Sequence, residues 1–580
     1  MKFKFQLIIL LFTAILSCDE AEDISESELV VESPPEEELV EEDATKPVIT
    51  IIGLTDIIEK KTDISIQIED ESTVETKVLR DGEELISSSE KQFDLTVNPY
   101  PIPVGATDFI VVSKDALGNE TTETYTVEIK HLLIENFYIE LITDVVDVSF
   151  KNLIFFNNLD GKELAVFEPM GPNEKVYTDE TIMEDYILFT SVNHTVFPQS
   201  TSGGRNQSLW LRTHKIPLGM KRREGIKNDY VEPQNTVEVT LNGIPLVNGS
   251  PDFYAYGEGY KTVAHSGNDT QTNLTINHDG IQPIYIRTNR WGGSTPKFDG
   301  KKENYRYVVV KPETGNTSIQ IESDKLTQAE RSIKLDIPEQ DPGTLFFHRN
   351  AFASTESLVN EGASIYEKDS AGETSVVDYL DLPVFSNFNF YLNYLSYGKN
   401  GFHYSTRGND AKLSVNMPDW SANTYLAEDT IEVIATNPDV DYYSVGLYKK
   451  VFDNGIGLNM RWTFYLDGDS NNEKKAPLFD LPDMIKEAVN EPYLQTPEGM
   501  EITSLAAVDY TNLNSYDQNV DKSVFNNSDF VGAGNLFRQV NFPISNTSDK
   551  SKTMKGPGNS NMFHHDIFDI DINEPRPRIY

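Results

Sequence analysis

Residues 107–130 read T-D-F-I-V-V-S-K-D-A-L-G-N-E-T-T-E-T-Y-T-V-E-I-K. Apolar and polar side chains alternate on both sides of D-A-L-G-N, which is the pattern of two half-buried β-strands. Asp115, Gly118 and Asn119 hold the turn positions, and an Asp in such a turn typically accepts hydrogen bonds from backbone N–H groups further along the turn. The stretch predicts a β-hairpin closed by an Asx-type turn, with a calcium role for Asp115 as the alternative.

The same pattern extends towards the N-terminus as far as Lys46. Short alternating runs are separated by turn residues, and Asp81-Gly82 is a two-residue hairpin signal. The final hairpin resembles that of bacterial Ig-like domains, in which a strand, a D-x-x-G-N turn and a Thr-rich strand recur. The resemblance covers 46–130 and implies a β-sandwich that acts as a spacer or an adhesive module.

Beyond an apolar connector at 131–144, strand-like runs recur at the spacing of sandwich domains. They begin at Val146, Thr236, Ser332, Lys412 and Met500, with intervals of 90, 96, 80 and 88 residues, and a sandwich domain has about 100 residues. These intervals predict β-rich units at 146–235, 236–331 and 332–411, and a C-terminal region at 412–580 of one or two units. Chance recurrence of short strands is the alternative.

The predicted fold class is therefore all-β, with tandem Ig-like or β-sandwich domains following an acidic linker. Helix signals are scarce. The best is Pro482–Val489, where proline stands at the start and Pro492 follows the end.

The first seventeen residues have the organisation of a secretory signal peptide. Two lysines precede an apolar run from Leu7 to Leu16, which is too short to span a bilayer. The run ends in I-L-S-C, which resembles the lipobox of bacterial lipoproteins. This resemblance implies that residues 1–17 are removed and that Cys18 is lipidated. An ordinary cleavage site with a chance cysteine is the alternative.

Residues 18–45 are predicted to form a disordered acidic linker. From Asp19 to Asp43 there are thirteen acidic residues and no basic one, so the segment repels itself and has little to bury. Acidic residues directly after a lipidated cysteine resemble the surface-export signal of lipoproteins in the Bacteroidota. The resemblance implies an outer-membrane lipoprotein at the cell surface, and a spacer facing the periplasm is the alternative.

The charge of the whole chain argues against a nucleic-acid partner. Lys and Arg number 49 against 92 Asp and Glu, a net charge of −43, which repels phosphate backbones. The sequence contains no complete H-E-x-x-H, G-x-S-x-G, Walker or G-x-G-x-x-G motif, and its only cysteine is Cys18. A pair of carboxylates for glycoside hydrolysis stays open, because the separation of such a pair is set only in three dimensions.

Two segments carry residue types that bind metals. The loop D-G-D-S-N-N-E offers oxygen ligands at Asp467, Asp469, Asn471 and Glu473, as calcium requires, and a hairpin turn is the alternative. Near the C-terminus, His564 and Asp566 would lie on one side of a strand and could share a metal ion. A surface turn is the alternative for that pair, and calcium is the one cofactor suggested.

Tryptophan residues suggest where a sugar could stack. Trp291 follows Arg290 and precedes two glycines, which predicts an exposed loop in which both side chains bind a glycan. Trp210 and Trp462 lie in alternating runs and are predicted to be core residues.

These features favour a membrane-anchored envelope protein that binds or scaffolds. Its partner would be a glycan or an envelope protein. The alternatives are a carbohydrate-active enzyme with a carboxylate site in the C-terminal region, and an adhesive or structural stalk. A carboxyl group with a raised pKa beside an aromatic ring would favour the enzyme.

Replacement of Cys18 by alanine should abolish lipidation. No second cysteine is present, so no other thiol can take the acyl group. In a Bacteroidota host, the wild-type chain should incorporate an alkyne-tagged fatty acid and partition into the detergent phase of Triton X-114. The Cys18→Ala chain should do neither. Incorporation of the tagged fatty acid by the Cys18→Ala chain would contradict lipidation at Cys18.

Overall fold

The computed structural model describes residues 45–137, 149–168, 174–196, 206–221, 235–244, 252–257, 260–265, 270–278, 284–288, 304–310, 318–352, 363–386, 388–410, 413–435, 437, 439–453, 456–469, 474–489, 491–510 and 537–544. Strands dominate these residues, and the prediction of an all-β chain is confirmed. Cys18 and the acidic linker lie outside the described residues.

The N-terminal part is a sandwich of two sheets. Its strands are β1 (Val48–Ile52), β2 (Ile57–Ile58), β3 (Thr62–Glu69), β4 (Val74–Arg80), β5 (Glu83–Ser88), β6 (Gln92–Val97), β7 (Gly105–Asp115) and β8 (Glu120–Ile129). One sheet has the order β1-β3-β6 and the other β2-β8-β7-β4-β5. Alternate residues, such as Ile64, Ile66 and Ile68 of β3, are buried between the sheets.

Both predicted turns of this sandwich are present. Asp81 and Gly82 join β4 to β5 with φ angles of 48° and 87°, the left-handed geometry of a tight hairpin. At the second turn, Asp115 Oδ1 accepts hydrogen bonds from the backbone N–H groups of Leu117 (2.9 Å) and Asn119 (2.8 Å). The Asx-type turn is therefore confirmed.

The remaining strands follow in two series. The first is β9 (His131–Phe137), β10 (Ser149–Asn157), β11 (Glu163–Phe167), β12 (Glu174–Thr178), β13 (Tyr186–Val196), β14 (Gln207–Pro217), β15 (Met220–Lys221), β16 (Asn235–Asn242), β17 (Asp252–Gly257), β18 (Tyr260–His265), β19 (Gln271–His278), β20 (Ile284–Thr288), β21 (Arg306–Val310) and β22 (Ser318–Glu322). The second is β23 (Thr327–Gln328), β24 (Arg331–Asp336), β25 (Phe346–Phe352), β26 (Ala363–Asp369), β27 (Tyr379–Val384), β28 (Phe390–Lys399), β29 (Phe402–Asn409), β30 (Ala422–Ala427), β31 (Thr430–Ala435), β32 (Tyr442–Asp453), β33 (Ile456–Asp467), β34 (Lys475–Pro477), β35 (Glu501–Tyr510) and β36 (Phe537–Phe542).

A twelve-stranded sheet, called the large sheet below, organises this part of the chain. Its order is β11-β10-β13-β14-β33-β32-β35-β36-β29-β28-β25-β26. Neighbouring strands are antiparallel except β14 and β33, which run parallel. Smaller sheets have the orders β12-β9-β15, β19-β16-β22, β18-β17-β20-β21-β23, β24-β27 and β30-β31-β34.

The large sheet buries apolar residues on both faces, because layers pack on each side of it. The main core lies on one face and includes Leu211, Leu447 and Trp462, all at most 1% exposed. A second cluster on the other face includes Phe156 and Phe189 and packs against Ile134 of β9. We call the face with Trp462 the core face and the other the outer face.

The sequence predicts four consecutive units after residue 145, and the sheet order differs from that division. The large sheet takes strands from three of the predicted ranges, 146–235, 332–411 and 412–580. The range 236–331 supplies separate sheets with their own cluster around Val239 and Ile286. Distant segments pair because each hairpin alone exposes an apolar face, which only the neighbouring hairpin can extend and bury.

Most predicted elements after residue 145 exist. Strands β16, β24 and β35 begin within one residue of the predicted starts at Thr236, Ser332 and Met500. The predicted helix is present as α1 (Asp483–Val489). The strand predicted at Lys412 is wrong: residues 413–417 form no ladder. Their backbone is bound instead by tyrosine hydroxyls, since Tyr404 donates to the carbonyl of Ser414 at 2.8 Å. The helices in the described part of the chain are too short or too polar to cross a membrane.

The predicted connector after the sandwich is in fact strand β9, and it docks the sandwich onto the next sheet. The ring of His131 is fully buried, with Nδ1 2.7 Å from the carbonyl oxygen of Glu180 and Nε2 2.8 Å from that of Ile102. Glu59 of the sandwich accepts hydrogen bonds from Lys175 and from the hydroxyl of Tyr177. The sandwich is therefore packed against its neighbour through buried and charged contacts.

Replacement of Trp462 by alanine should lower the free energy of unfolding by about 3–5 kcal/mol, the usual cost of removing a buried Trp side chain. The ring is fully buried and its N–H donates to Thr213 Oγ1 at 2.7 Å. Trp462→Phe should cost less, because it keeps an aromatic ring and removes less buried side-chain volume, although it also loses that hydrogen bond. Urea unfolding followed by circular dichroism would measure both, and equal small losses would contradict this packing.

Candidate functional site

A row of stacked side chains crosses the outer face of the large sheet. Trp210 of β14 lies directly opposite Arg461 of β33, and Arg461 lies opposite Tyr448 of β32. The guanidinium carbon of Arg461 is 5.5 Å from the centroid of the Trp210 ring and 6.0 Å from that of Tyr448. A guanidinium between two aromatic rings is held by cation–π attraction on both sides. We call this row the Trp-Arg-Tyr ladder.

The two-residue period of the strands places the ladder on the outer face. Leu209 and Leu211, on either side of Trp210, are buried on the core face. Trp210 therefore points outward and is 37% exposed. Asn193 of β13 and Glu501 of β35 extend the same row at its two ends, so the row crosses five strands.

The adjacent rows of the outer face are polar. On one side, Ser208, Asn459 and Lys450 lie opposite one another, and Asn459 Nδ2 donates to Ser208 Oγ at 2.8 Å. On the other side, Arg212 lies opposite Thr463. The ladder therefore stands in a band of hydrogen-bonding side chains and not in an apolar patch.

Two groups of the ladder keep unused hydrogen-bonding capacity. Within the part of the chain that the structure describes, the indole N–H of Trp210 and the hydroxyl of Tyr448 have no hydrogen-bond partner. An indole N–H can only donate, and a phenol hydroxyl donates readily. Both groups are available to a ligand that carries acceptors.

A second cluster, which we call the acidic pair, lies at one end of the core face. Tyr442 pairs with Val508, so Asp441, one residue before β32, faces Asp509 of β35. Asp441 Oδ2 accepts a hydrogen bond from the backbone N–H of Tyr510 at 2.6 Å. Asp509 Oδ2 accepts from Arg538 Nε at 2.8 Å.

The surroundings of the acidic pair favour protonation. Burial, together with the neighbouring Asp509 carboxylate, raises the pKa of Asp441 to about 6, against the hydrogen bond from Tyr510. Burial also raises the pKa of Asp509, although Arg538 opposes it. Trp420 covers Arg538, whose guanidinium carbon is 5.4 Å from the ring centroid. The pair combines a carboxyl of raised pKa with nearby aromatic rings.

The sequence-predicted site residues have different outcomes. Arg290, Trp291, Asn471, Glu473, His564 and Asp566 lie outside the described residues, as does Cys18, so these predictions stay predictions. Asp467 ends β33, and its Oδ1 accepts from the backbone N–H of Asp469 at 2.9 Å. The described residues contain no group of three His, Cys, Asp or Glu side chains placed to hold a metal ion.

Two sequence interpretations are corrected. The loop after Asp467 is not a hairpin turn, because it leads from β33 of the large sheet to β34 of another sheet. Trp462 is a core residue as predicted, whereas Trp210 is not. The signal for Trp210 was in the sequence: in S-L-W-L-R the leucines alternate with Ser208, Trp210 and Arg212, so the tryptophan shares a face with polar residues.

Comparisons with known proteins give weak matches only. No family model matches the sequence, and no curated protein is similar to it. Among solved structures, the SGBP-B protein of the Bacteroides ovatus mixed-linkage glucan utilization locus, in complex with a mixed-linkage heptasaccharide, matches 60% of this chain and 93% of its own, at 10% identity and a TM-score of 0.14.

Two other solved structures match at the same level. A 1.5-MDa bacterial ice-binding adhesin matches 42% of this chain and 91% of its own, at 8% identity and a TM-score of 0.13. Immunoglobulin domains 1–4 of Sidekick-1 match 63% of this chain and 98% of their own, at 12% identity and a TM-score of 0.13. TM-scores this low assign no function to the chain.

Asp441 should make the protein less stable as the pH rises. Its folded pKa of about 6 lies above the ordinary 3.8, so the folded state holds the proton longer and loses stability between pH 4 and 6. Because Asp441 is only partly buried, solvent screening reduces the effect to about 1–2 kcal/mol. Asp441→Asn keeps an acceptor for Tyr510 and should flatten this pH dependence.

Urea unfolding at pH 4.5 and 7.5 would measure the effect. Asp94→Asn, on an exposed position of β6, is the control and should keep the wild-type profile. An Asp441→Asn chain with the same pH dependence as the wild type would contradict the assignment.

Proposed function

We propose that this protein is a lipid-anchored envelope protein that binds a glycan on the outer face of the large sheet, at the Trp-Arg-Tyr ladder. The observation that carries the proposal is the exposure of Trp210 beside Arg461 and Tyr448, with no hydrogen-bond partner for its indole N–H among the residues that the structure describes. Trp, Tyr and Arg are the residue types that dominate binding energies at recognition surfaces. Here they stand together on a rigid sheet.

The chemistry of the band around the ladder suits a sugar. Sugars present hydroxyl groups beside apolar C–H surfaces, and the band offers amide, hydroxyl and guanidinium groups around two aromatic side chains. The hydrogen-bond donors of the band sit on four adjacent strands, about 4.8 Å apart, and Glu501 adds an acceptor on the fifth. Strands hold such groups in fixed positions, so little conformational entropy is lost on binding.

The anchor and linker complete the proposal. Lipidated Cys18 would hold the chain at the outer membrane, and the 27 residues from Asp19 to Thr45 could extend up to about 90 Å. We propose that the protein faces the cell exterior, where polysaccharides are met. The predicted pair Arg290 and Trp291 would form a second contact, and calcium at Asp467 and Asp469 a structural ion.

Glycan-array binding of the full-length protein in non-ionic detergent tests the proposal. The wild-type chain should retain at least one glycan class, and Trp210→Ala should weaken its retention by about tenfold or more. Tyr379→Ala is the matched control. That ring is 49% exposed and stacks with Lys334 at 4.6 Å on the β24-β27 sheet, away from the ladder. Retention unaffected by Trp210→Ala would contradict the proposal.

A second candidate function is glycoside hydrolysis at the acidic pair. The raised pKa of Asp441 favours it, because a proton donor must stay protonated near neutral pH. Asp441 would donate the proton, and Asp509, held by Arg538, would be the second carboxylate. Release of reducing ends by the wild type but not by Asp441→Asn would support hydrolysis. Retention of a glycan without release of reducing ends would contradict hydrolysis and support binding.

A further inference from the structure

The band around the ladder has the opposite charge balance to the rest of the chain. Arg212, Arg461 and Lys450 lie in three adjacent rows of the outer face. Among the described residues of these rows, Glu501 is the one acidic side chain. The whole chain carries a net charge of −43, so the charge balance of these described residues departs from that of the chain.

The ladder also concentrates hydrogen-bond donors. Guanidinium, ammonium and indole N–H groups have no acceptor atoms, and Arg461, Lys450 and Trp210 present one of each within two adjacent rows. The hydroxyl of Tyr448 adds a fourth donor. A guanidinium matches the two oxygens of a carboxylate, or two oxygens of a sulfate, with paired hydrogen bonds.

A neighbouring side chain responds to the positive charge. His214 lies two residues from Arg212 and stacks on Tyr465, with ring centroids 4.1 Å apart. Burial first, and the positive charge of Arg212 second, lower the pKa of His214 to about 3. The imidazole therefore stays neutral at the edge of the band, and Arg212 supplies the charge there.

We infer that the Trp-Arg-Tyr ladder binds an anionic polysaccharide, whose carboxylate or sulfate groups accept hydrogen bonds from Arg461 and Trp210 and are attracted by Lys450 and Arg212. This inference rests on the proposed glycan-binding function and names its ligand class. An extended polymer fits a band a few rows wide. A globular acidic partner would need about 800 Å² of its surface buried.

Four polymer probes test the inference with the full-length protein in detergent. Dextran and dextran sulfate share a backbone and differ in charge, polygalacturonate carries carboxylates, and poly-L-glutamate is an acidic polypeptide. Titrations would be made with EDTA present, so that calcium bridging does not contribute. We expect dextran sulfate or polygalacturonate to bind at least about tenfold more tightly than dextran, a difference of about 1.4 kcal/mol. Comparison of the two polyanions distinguishes sulfate from carboxylate recognition.

Variants connect the binding to the band. Lys450→Glu reverses one exposed charge without touching the core and should weaken polyanion binding by about tenfold or more. Arg461→Lys keeps the charge but loses the planar fork, and should weaken binding by a smaller factor. Lys334→Ala is the control, since Lys334 makes a cation–π contact on another sheet; it should leave the affinity unchanged.

Each contrary outcome has a separate meaning. Equal affinity for dextran and the polyanions, with loss in Trp210→Ala, would overturn the anionic ligand and keep glycan binding. Poly-L-glutamate bound as tightly as the polysaccharides would overturn the polysaccharide assignment. Polyanion binding weakened equally by Lys334→Ala and Lys450→Glu would overturn the site. Absence of all glycan binding would overturn both this inference and the proposed function.

Discussion

The parallel pairing of β14 with β33 is the contact on which the rest of the large sheet depends. Residues 207–214 pair with residues 458–465, and these segments belong to hairpins about 250 residues apart in the chain. Trp462 stabilises this pairing, which we call the β14–β33 joint, because its buried N–H donates to Thr213. Without this joint, the sheet would separate into an N-terminal and a C-terminal part, each with an exposed edge strand.

The same joint forms both the core and the candidate site. On the core face it brings Leu211 against Trp462, and on the outer face it brings Trp210 against Arg461. Since neighbouring residues of a strand point to opposite faces, one register fixes both contacts. A slip of one residue would bury Arg461 and expose Trp462, so the energy of the core also holds the ladder in place.

Part of the outer face is covered by another layer. Its apolar part, around Phe156 and Phe189, packs against the sheet that contains β9, onto which the N-terminal sandwich docks. The exposed band is therefore polar, whereas the neighbouring part of the same face is apolar and buried. The sandwich is connected to this arrangement through His131 and Glu59.

The sequence by itself determined the strand content, the hairpin at 107–130, the strands near Thr236, Ser332 and Met500, the helix at 483–489 and the turns at Asp81-Gly82 and Asp115. Each of these depends on side-chain alternation or local backbone geometry. It also placed Trp210 among polar neighbours. Only the tertiary structure decided that Trp210 meets Arg461 and that Asp441 faces Asp509, because strand pairing over long separations depends on the mutual burial of whole faces. A local sequence pattern does not show which distant hairpin will pair with a given strand and bury its apolar face.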